Sequence, residues 1–188
     1  MATTVLTLLA DGFEEIEATA PIDLLRRADA EVTIASCSGS LEVTGRSEIT
    51  LRTDTLLSKI PDPLAFDLLV LPGGPAVFEL RKRTEIIDLI RTFASSGKPI
   101  GAICAAPLLL LDAGVITSDS PCTAHGSASN ELTNLQQKLA VVQEGKIITS
   151  RGAGTAVEFG LALINELFGL QKANEIRASI HADLSPSR

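Results

Sequence analysis

The stretch that decides the fold is KPIGAICAAPLLLLDAG, residues 98–114. It begins with the short apolar run Ile100–Ile103, which is typical of a buried strand. It ends with Pro107 and a run of leucines, as at the start of a helix. Cys104 lies at the joint between the two. Because a sharp strand-to-helix turn exposes the side chain at its joint, the stretch predicts a thiol at the edge of a sheet.

A thiol in that position faces the positive end of the helix macrodipole and the unpaired N–H groups of the first turn. Both features favour the thiolate, which is the reactive form of cysteine. The alternative is that Cys104 is a small buried hydrophobic residue, as most free cysteines are. The stretch alone leaves both interpretations open.

Size and composition favour one α/β domain covering residues 1–188. The chain has 45% hydrophobic residues, six phenylalanines, and neither tryptophan nor tyrosine. A core of Leu, Ile, Val and Ala suits a parallel sheet with helices on both faces. The net charge of −7 disfavours binding to nucleic acid or anionic membranes. We also expect no membrane span, because no apolar run approaches about 18 residues.

The three cysteines, Cys37, Cys104 and Cys122, are widely spaced and form no metal-binding motif. We therefore expect neither a metal nor a disulfide framework, and free thiols indicate a reducing compartment such as the cytoplasm. The glycine-rich loop 150–155 lacks the spacing of a phosphate-binding loop. No cofactor is predicted.

Along the chain, strands alternate with helices, which predicts a parallel sheet with right-handed crossovers. A proline at position 21 predicts a kink or break in the first helix. We expect a connector at 56–63 and a frayed tail at 185–188. The predicted strands are 5–9, 32–35, 67–71 and 100–103, with hairpins at 41–51 and 139–149. The predicted helices are 14–27, 84–95, 107–111, 155–168 and 171–179.

Ligands of such sheets bind outside the carboxyl ends of the strands. Five segments reach that edge and are expected to converge: residues 10–12, 72–75, Cys104, the loop with His125, and 150–154. Any chemistry of the protein is therefore predicted to lie there.

Glu17 is the candidate acid for this site. In a crevice its pKa would rise, and a protonated Glu17 could donate a hydrogen bond to the sulfur of Cys104. The alternative is an ordinary solvated helix residue, like Glu14 or Glu15. Periodicity does not decide which of the three acids points inward.

Gly73 and Gly74 follow a buried strand, so their N–H groups are candidate donors to an oxyanion. A plain turn is the alternative. His125 is a candidate proton shuttle, with an exposed loop histidine as the alternative. No feature of the sequence suggests a functional partner for His181, which is interpreted as structural.

Several motifs together resemble the ThiJ/PfpI superfamily, and within it the DJ-one branch of deglycases. They are ADGFEEIE, VLPGG, AICAAP, TAHG and TSRGAGTAVEFGLALI, in the same order over residues 4–178. The resemblance implies a class I glutamine-amidotransferase-like domain with a flavodoxin-like three-layer sandwich, in a homodimer. It also implies a Cys104 nucleophile, a protonated Glu17, backbone donors at Gly73, Gly74 and Ala105, and a pocket histidine at His125.

The chain departs from the family pattern at three places. Ala153 replaces the proline of the usual RGPGT loop. The resemblance places the family's pocket arginine at Ser47, with Arg46 beside it, so either residue could line the pocket. Ala105 replaces the histidine that follows the cysteine in the protease branch, which argues against a protease.

The resemblance implies a hydrolase or lyase acting on methylglyoxal, glyoxal or their adducts, as a protein and nucleotide deglycase or a cofactor-independent glyoxalase. An alternative is an oxidative-stress sensor or chaperone that uses oxidation of Cys104. A third is a catalytically silent scaffold for partners. All three readings fit the same fold.

Overall fold

The computed structural model describes residues 2–182, so the predicted tail at 185–188 lies outside the described residues. A seven-stranded sheet forms the centre, and a separate two-stranded sheet lies beside it. The strands are β1 (Thr4–Leu9), β2 (Glu31–Ser36), β3 (Glu42–Thr44), β4 (Thr50–Arg52), β5 (Thr55–Leu56), β6 (Leu68–Leu71), β7 (Ile100–Ile103), β8 (Val141–Glu144) and β9 (Ile147–Ser150).

Helices cover both faces of the large sheet, so the molecule has three layers. The helices are α1 (Glu15–Arg27), α2 (Ala76–Leu80), α3 (Thr84–Ser95), α4 (Pro107–Asp112), α5 (Ala156–Phe168) and α6 (Leu170–Ser179). One hydrophobic core lies between the sheet and α2, α3 and α4, and a second lies between the sheet and α1, α5 and α6. The fold is the predicted flavodoxin-like α/β sandwich.

The strand order is β5-β2-β1-β6-β7-β9-β8, and β8, paired with β9, is the antiparallel strand. Every residue of β6 and β7 is buried. This burial follows from their continuous apolar sequences, because strands covered on both faces have no polar side. The carboxyl ends of β1, β6 and β7 therefore lie side by side at one edge of the sheet.

The structure differs from the sequence prediction in three elements. The predicted kink or break at Pro21 does not interrupt α1, which runs through it as one helix. Pro21 is buried against α5, where a Cβ added to Gly160 would lie 3.2 Å from the Cα of Pro21. This tertiary packing holds the helix together although the proline removes one backbone hydrogen bond. The short elements β5 and α2 were not predicted.

The described residues contain no helix that is both long enough and apolar enough to cross a bilayer.

Candidate active site

The elbow after β7 holds Cys104 in a backbone conformation that few side chains adopt. Its φ is +67°, in the left-handed region that is unfavourable for residues other than glycine. The N–H of Cys104 donates to the carbonyl of Ser150 at 2.9 Å, which ties the elbow to the end of β9. The side chain is half-buried. Such strain persists where the surrounding structure imposes it, and it is common at functional sites.

Glu17 is the acid that faces the sulfur. It lies in the first turn of α1, is 1% exposed, and its carboxyl group lies close enough to the Cys104 side chain for each group to shift the pKa of the other. The N–H of Gly73 donates to Oε2 of Glu17 at 3.0 Å. Glu14 instead caps α1, because its carboxylate accepts the N–H of Glu17 at 2.8 Å. The structure thus brings together the predicted cysteine and the predicted acid.

Gly73 separates the two side chains and must be a glycine. A Cβ at this position would lie 2.5 Å from both Oε2 of Glu17 and the Cβ of Cys104. Its N–H is used by Glu17, which differs from the predicted role as an oxyanion donor. The N–H groups of Gly74 and Ala105 instead face the Cys104 sulfur and act to lower the pKa of its thiol. The donors that face the sulfur are therefore Gly74 and Ala105.

Burial, with a smaller contribution from the charge of Glu14, raises the pKa of Glu17 from its ordinary 4.5 to about 7. Burial, together with the charge of an ionised Glu17, raises the pKa of the Cys104 thiol to about 12. This differs from the lowered thiol pKa expected from the elbow alone. The N–H groups of Gly74 and Ala105 do lower that pKa, but they do not outweigh burial and the carboxylate.

Acids in contact titrate as a pair. Between about pH 7 and about pH 12, Cys104 and Glu17 together hold one proton. If that proton is on the sulfur, the cysteine is an inert thiol. If it is on the carboxyl group, the cysteine is a thiolate that accepts a hydrogen bond from a neutral acid. The position of one proton thus decides the reactivity of the site.

His125 reaches the site through its backbone. Its N–H donates to the carbonyl oxygen of Cys104 at 2.9 Å. The side chain is exposed, and its Nδ1 lies 3.0 Å from the hydroxyl of Ser127. The backbone of His125 therefore lies next to Cys104, as predicted, while its imidazole ring lies at the surface.

Sequence reasoning missed the role of Glu15. This residue is 6% exposed, and its Oε1 accepts the N–H of Ser47, in the β3–β4 turn, at 2.6 Å. Burial acts to raise the pKa of Glu15, but N–H donors that include Ser47 and Ile49 outweigh it and lower the pKa. Arg46 is exposed, and its N–H donates to the carbonyl of Phe13. Ser47, rather than Arg46, thus contacts a buried acid next to Glu17.

The loop after β9 closes the far side of Glu17. A Cβ added to Gly152 would lie 3.7 Å from Oε1 of Glu17, and the N–H of Ala153 favours the ionised form of that carboxyl group. The family's usual proline has no N–H and could not make this contact. Within residues 2–182, no group of three or more potential ligand side chains is placed to hold a metal ion.

Comparison with known proteins identifies relatives over nearly the whole chain. The model of the DJ-1/PfpI family matches residues 3–166. Protein DJ-1 homolog B of Arabidopsis thaliana is 37% identical over 92% of the chain, which spans only 40% of that relative. The glutathione-independent glyoxalase DJR-1.2 of Caenorhabditis elegans is 33% identical, with 87% of each chain covered.

Solved structures of the same group share the fold. The crystal structure of Drosophila melanogaster DJ-1beta has a TM-score of 0.89 and 35% identity, covering 96% of this chain and 98% of that one. A structure described as Toxoplasma gondii DJ-1, oxidized, has a TM-score of 0.88 and 31% identity, with 96% and 98% coverage.

Proposed function

The chain belongs to the DJ-1/PfpI family, and we propose that it is a cysteine-dependent enzyme acting on small dicarbonyls or their adducts. The observation that carries the proposal is the contact between half-buried Cys104 and the buried carboxyl group of Glu17, at an elbow with two N–H donors aimed at the sulfur. A relative described as a glutathione-independent glyoxalase supports a dicarbonyl such as methylglyoxal as substrate.

The proton of the pair resides on Glu17 in this proposal. Ionising the more deeply buried group costs more, because burial disfavours a charge. Glu17 is 1% exposed, whereas the sulfur is half-buried and receives the N–H groups of Gly74 and Ala105. These features act in favour of a negative sulfur, while the N–H groups of Gly73 and Ala153 act in favour of an ionised Glu17. The proposal places the proton on Glu17, so that Cys104 is a nucleophile near neutral pH.

The chemistry begins when the Cys104 thiolate adds to the aldehyde carbon of methylglyoxal. A C–S bond forms, and the carbonyl π electrons move to the oxygen, which takes the proton of Glu17. The Glu17 carboxylate then removes the proton from that carbon, and the proton is returned to the neighbouring carbonyl carbon through an enediol. The first carbon is oxidised and the second is reduced, which gives a thioester. Water cleaves the C–S bond and releases lactate.

The backbone N–H groups of Gly74 and Ala105 stabilise the developing oxyanion in this scheme. A small movement of Glu17 would release the N–H of Gly73 for the same purpose. His125, whose ring is exposed, carries protons between the site and solvent in this scheme. Adducts of dicarbonyls with amines or thiols present a similar carbon to the same thiolate, which gives a deglycase activity.

Turnover of methylglyoxal to lactate by the Cys104→Ala variant tests the proposal. We expect a loss of about 10³-fold or more, because the nucleophile is removed. Cys37→Ala is the matched control and keeps full turnover. A Cys104→Ala variant as active as the parent protein overturns the proposal. His125→Ala keeps its backbone hydrogen bond, so a loss of turnover there isolates the role of the ring.

A second candidate function, oxidative sensing, uses the same sulfur. A solved relative is described as oxidized, and the two N–H donors would hold the oxygens of a sulfinic acid. Two molecules of hydrogen peroxide would each give one oxygen to Cys104 and leave as water. Mass spectrometry after mild peroxide treatment tests this function. Selective gain of two oxygens at Cys104, together with negligible dicarbonyl turnover, favours sensing over catalysis.

We also propose that the chain forms a homodimer through the start of α1 and the β3–β4 hairpin. Ile16 and Ile49 are 53% and 55% exposed beside Glu15, whose buried Oε2 has no partner in the described residues. A second copy would cover both isoleucines and bring a donor to that oxygen.

Light scattering of Ile49→Glu tests the assembly, and we expect the mass to fall from that of a dimer to that of a monomer. A parent protein of monomer mass overturns the proposal.

A further inference from the structure

A cavity lies at the same edge of the sheet as Cys104, but near the opposite end of the strand order. It has a volume of about 530 Å³ and lies between the loop after β2, the segment after β5, and the start of α3. Two strands, β1 and β6, separate β2 from β7. At about 4.8 Å per strand, the cavity is roughly 14 Å from the Cys104 elbow.

The inner wall of this cavity is mainly apolar. Leu57, Pro63 and Leu89 line it together with Cys37, which is 5% exposed. Pockets for small molecules have volumes of about 300–1,000 Å³ and combine apolar walls with a few polar groups. The cavity therefore has the size and the wall of a ligand site.

Arg83 supplies the polar group at the rim. Its Nη1 donates to the carbonyl of Cys37, and its Nε and Nη2 each lie 2.8 Å from Oε1 of Glu85. These contacts use three of the five N–H donors of a guanidinium group. The side chain of Arg83 is 38% exposed and that of Glu85 is 62% exposed. Because exposed ion pairs contribute little, Glu85 can give up its place to another anion at small cost.

The start of α3 adds positive charge at the same rim. Arg83 is the residue that precedes the helix, and no side chain caps the first turn. The partial positive charge of a helix N-terminus favours a nearby anion. Together with the guanidinium, this end of α3 favours a carboxylate head group, while the apolar wall favours a hydrocarbon body.

We propose that this cavity is a second ligand site, which binds a small amphipathic carboxylate with its head group on Arg83 and its apolar body against Leu57, Pro63 and Leu89. The site is independent of the chemistry at Cys104, because none of the residues that line it belongs to the elbow. The ligand enters without a covalent step.

Naphthoate is a suitable probe, with the neutral naphthamide as its matched control. The chain has no tryptophan or tyrosine, so naphthalene fluorescence is measured without protein background. We expect saturable binding of one naphthoate per chain, at least about tenfold tighter than naphthamide. Saturating naphthoate should slow the alkylation of Cys37 and leave the alkylation of Cys104 unchanged. Equal affinity for the two probes, or protection of Cys104 in place of Cys37, overturns the proposal.

Two variants locate the probe. Arg83→Gln removes the charge, so the affinity for naphthoate should fall to that for naphthamide. Arg91→Gln, within α3, is the matched control and should change the affinity for neither probe. Leu89→Phe fills the cavity and should abolish binding of both probes even if Arg83→Gln does not fold. Unchanged naphthoate affinity in Leu89→Phe overturns the proposal. Methylglyoxal turnover should be unaffected in every variant, which separates this test from that of the proposed enzyme.

Discussion

Cys104 and Cys37 occupy equivalent places in the fold but have opposite surroundings. Each directly follows a parallel strand, β7 or β2, at the carboxyl edge of one sheet. Cys104 has a strained backbone, two N–H donors on its sulfur and a buried acid beside it. Cys37 is 5% exposed. Burial raises the pKa of both thiols to about 12, but only Cys104 has the carboxyl group of Glu17 beside it to take its proton. The sheet edge therefore supplies a location, while the elbow and Glu17 supply the reactivity.

The alkylation rates of the two thiols test this comparison most strongly. At pH 7.5 we expect iodoacetamide to modify Cys104 about 100-fold faster than Cys37, or more. A thiolate present near neutral pH gains far more in population than it loses in intrinsic nucleophilicity. Peptide mapping by mass spectrometry measures both rates in one sample. Equal rates would place Cys104 among the inert buried thiols.

The pH dependence of stability tests the buried acid. Because the pKa of Glu17 is raised to about 7, the Cys104–Glu17 pair of the folded protein keeps both protons up to about pH 7, whereas the carboxyl group of the unfolded chain loses its proton near pH 4.5. The contribution of this group to the free energy of unfolding is fully present below pH 4.5 and is lost as the pH rises to about 7. The free energy of unfolding should fall by about 3 kcal/mol over this range.

Urea denaturation of the parent protein and Glu17→Gln between pH 4.5 and 8 measures this loss as a difference. The subtraction is needed because Glu15, with its lowered pKa, contributes a change of opposite sign. If the free energy of unfolding changes with pH in the same way in both proteins, ionisation of Glu17 does not destabilise the fold, which would contradict the prediction.

Whether Glu17→Gln slows or speeds the alkylation of Cys104 depends on which of the two groups holds the shared proton. If the acid is neutral and donates to a thiolate, an amide is a weaker donor, and alkylation at pH 7 should slow by about tenfold, or one pKa unit. If the carboxylate is ionised and the sulfur protonated, loss of its charge should speed alkylation instead. The rate measured across pH 5–9 distinguishes the two forms.

The smallest expected effect is that of Ala153→Pro. Position 153 begins a short 3-10 turn, where proline fits the backbone. The substitution removes the N–H that favours ionised Glu17, so the first ionisation of the pair should shift to higher pH by less than about one unit. A pH profile of Cys104 alkylation measures the shift, and thermal unfolding serves as the control. A shift to lower pH would contradict the assigned contact.

Long periodic segments were predictable because the spacing of their apolar residues indicates which face is buried. The helix predicted at 84–95 matches α3, and the buried run Ile100–Ile103 matches β7. The short β5 was missed because two residues carry no periodicity, and it forms by pairing with β2. The five-residue α2 was missed for the same reason. Pro21 shows the reverse error, since a local rule predicted a kink or break, and α1 is not broken there because it packs against α5.

The location of the candidate site was predictable from the sequence, but the hydrogen bonds that organise it were not. Strand ends placed Cys104, the glycines and the His125 loop at one edge, since parallel strands carry their carboxyl ends together. The use of the Gly73 N–H by Glu17, and the burial of Glu15 under the β3–β4 hairpin, depend on contacts between segments far apart in sequence. Such contacts leave no local pattern.

By itself, the sequence determined the alternation of strands and helices, the elbow at Cys104 and the family to which the chain belongs. The tertiary structure alone decided which of three neighbouring acids meets the sulfur, and why Gly73 cannot carry a side chain. The physical reason is that strand and helix periods are properties of adjacent residues. A pKa shift, by contrast, depends on desolvation and charge from every segment that surrounds the group.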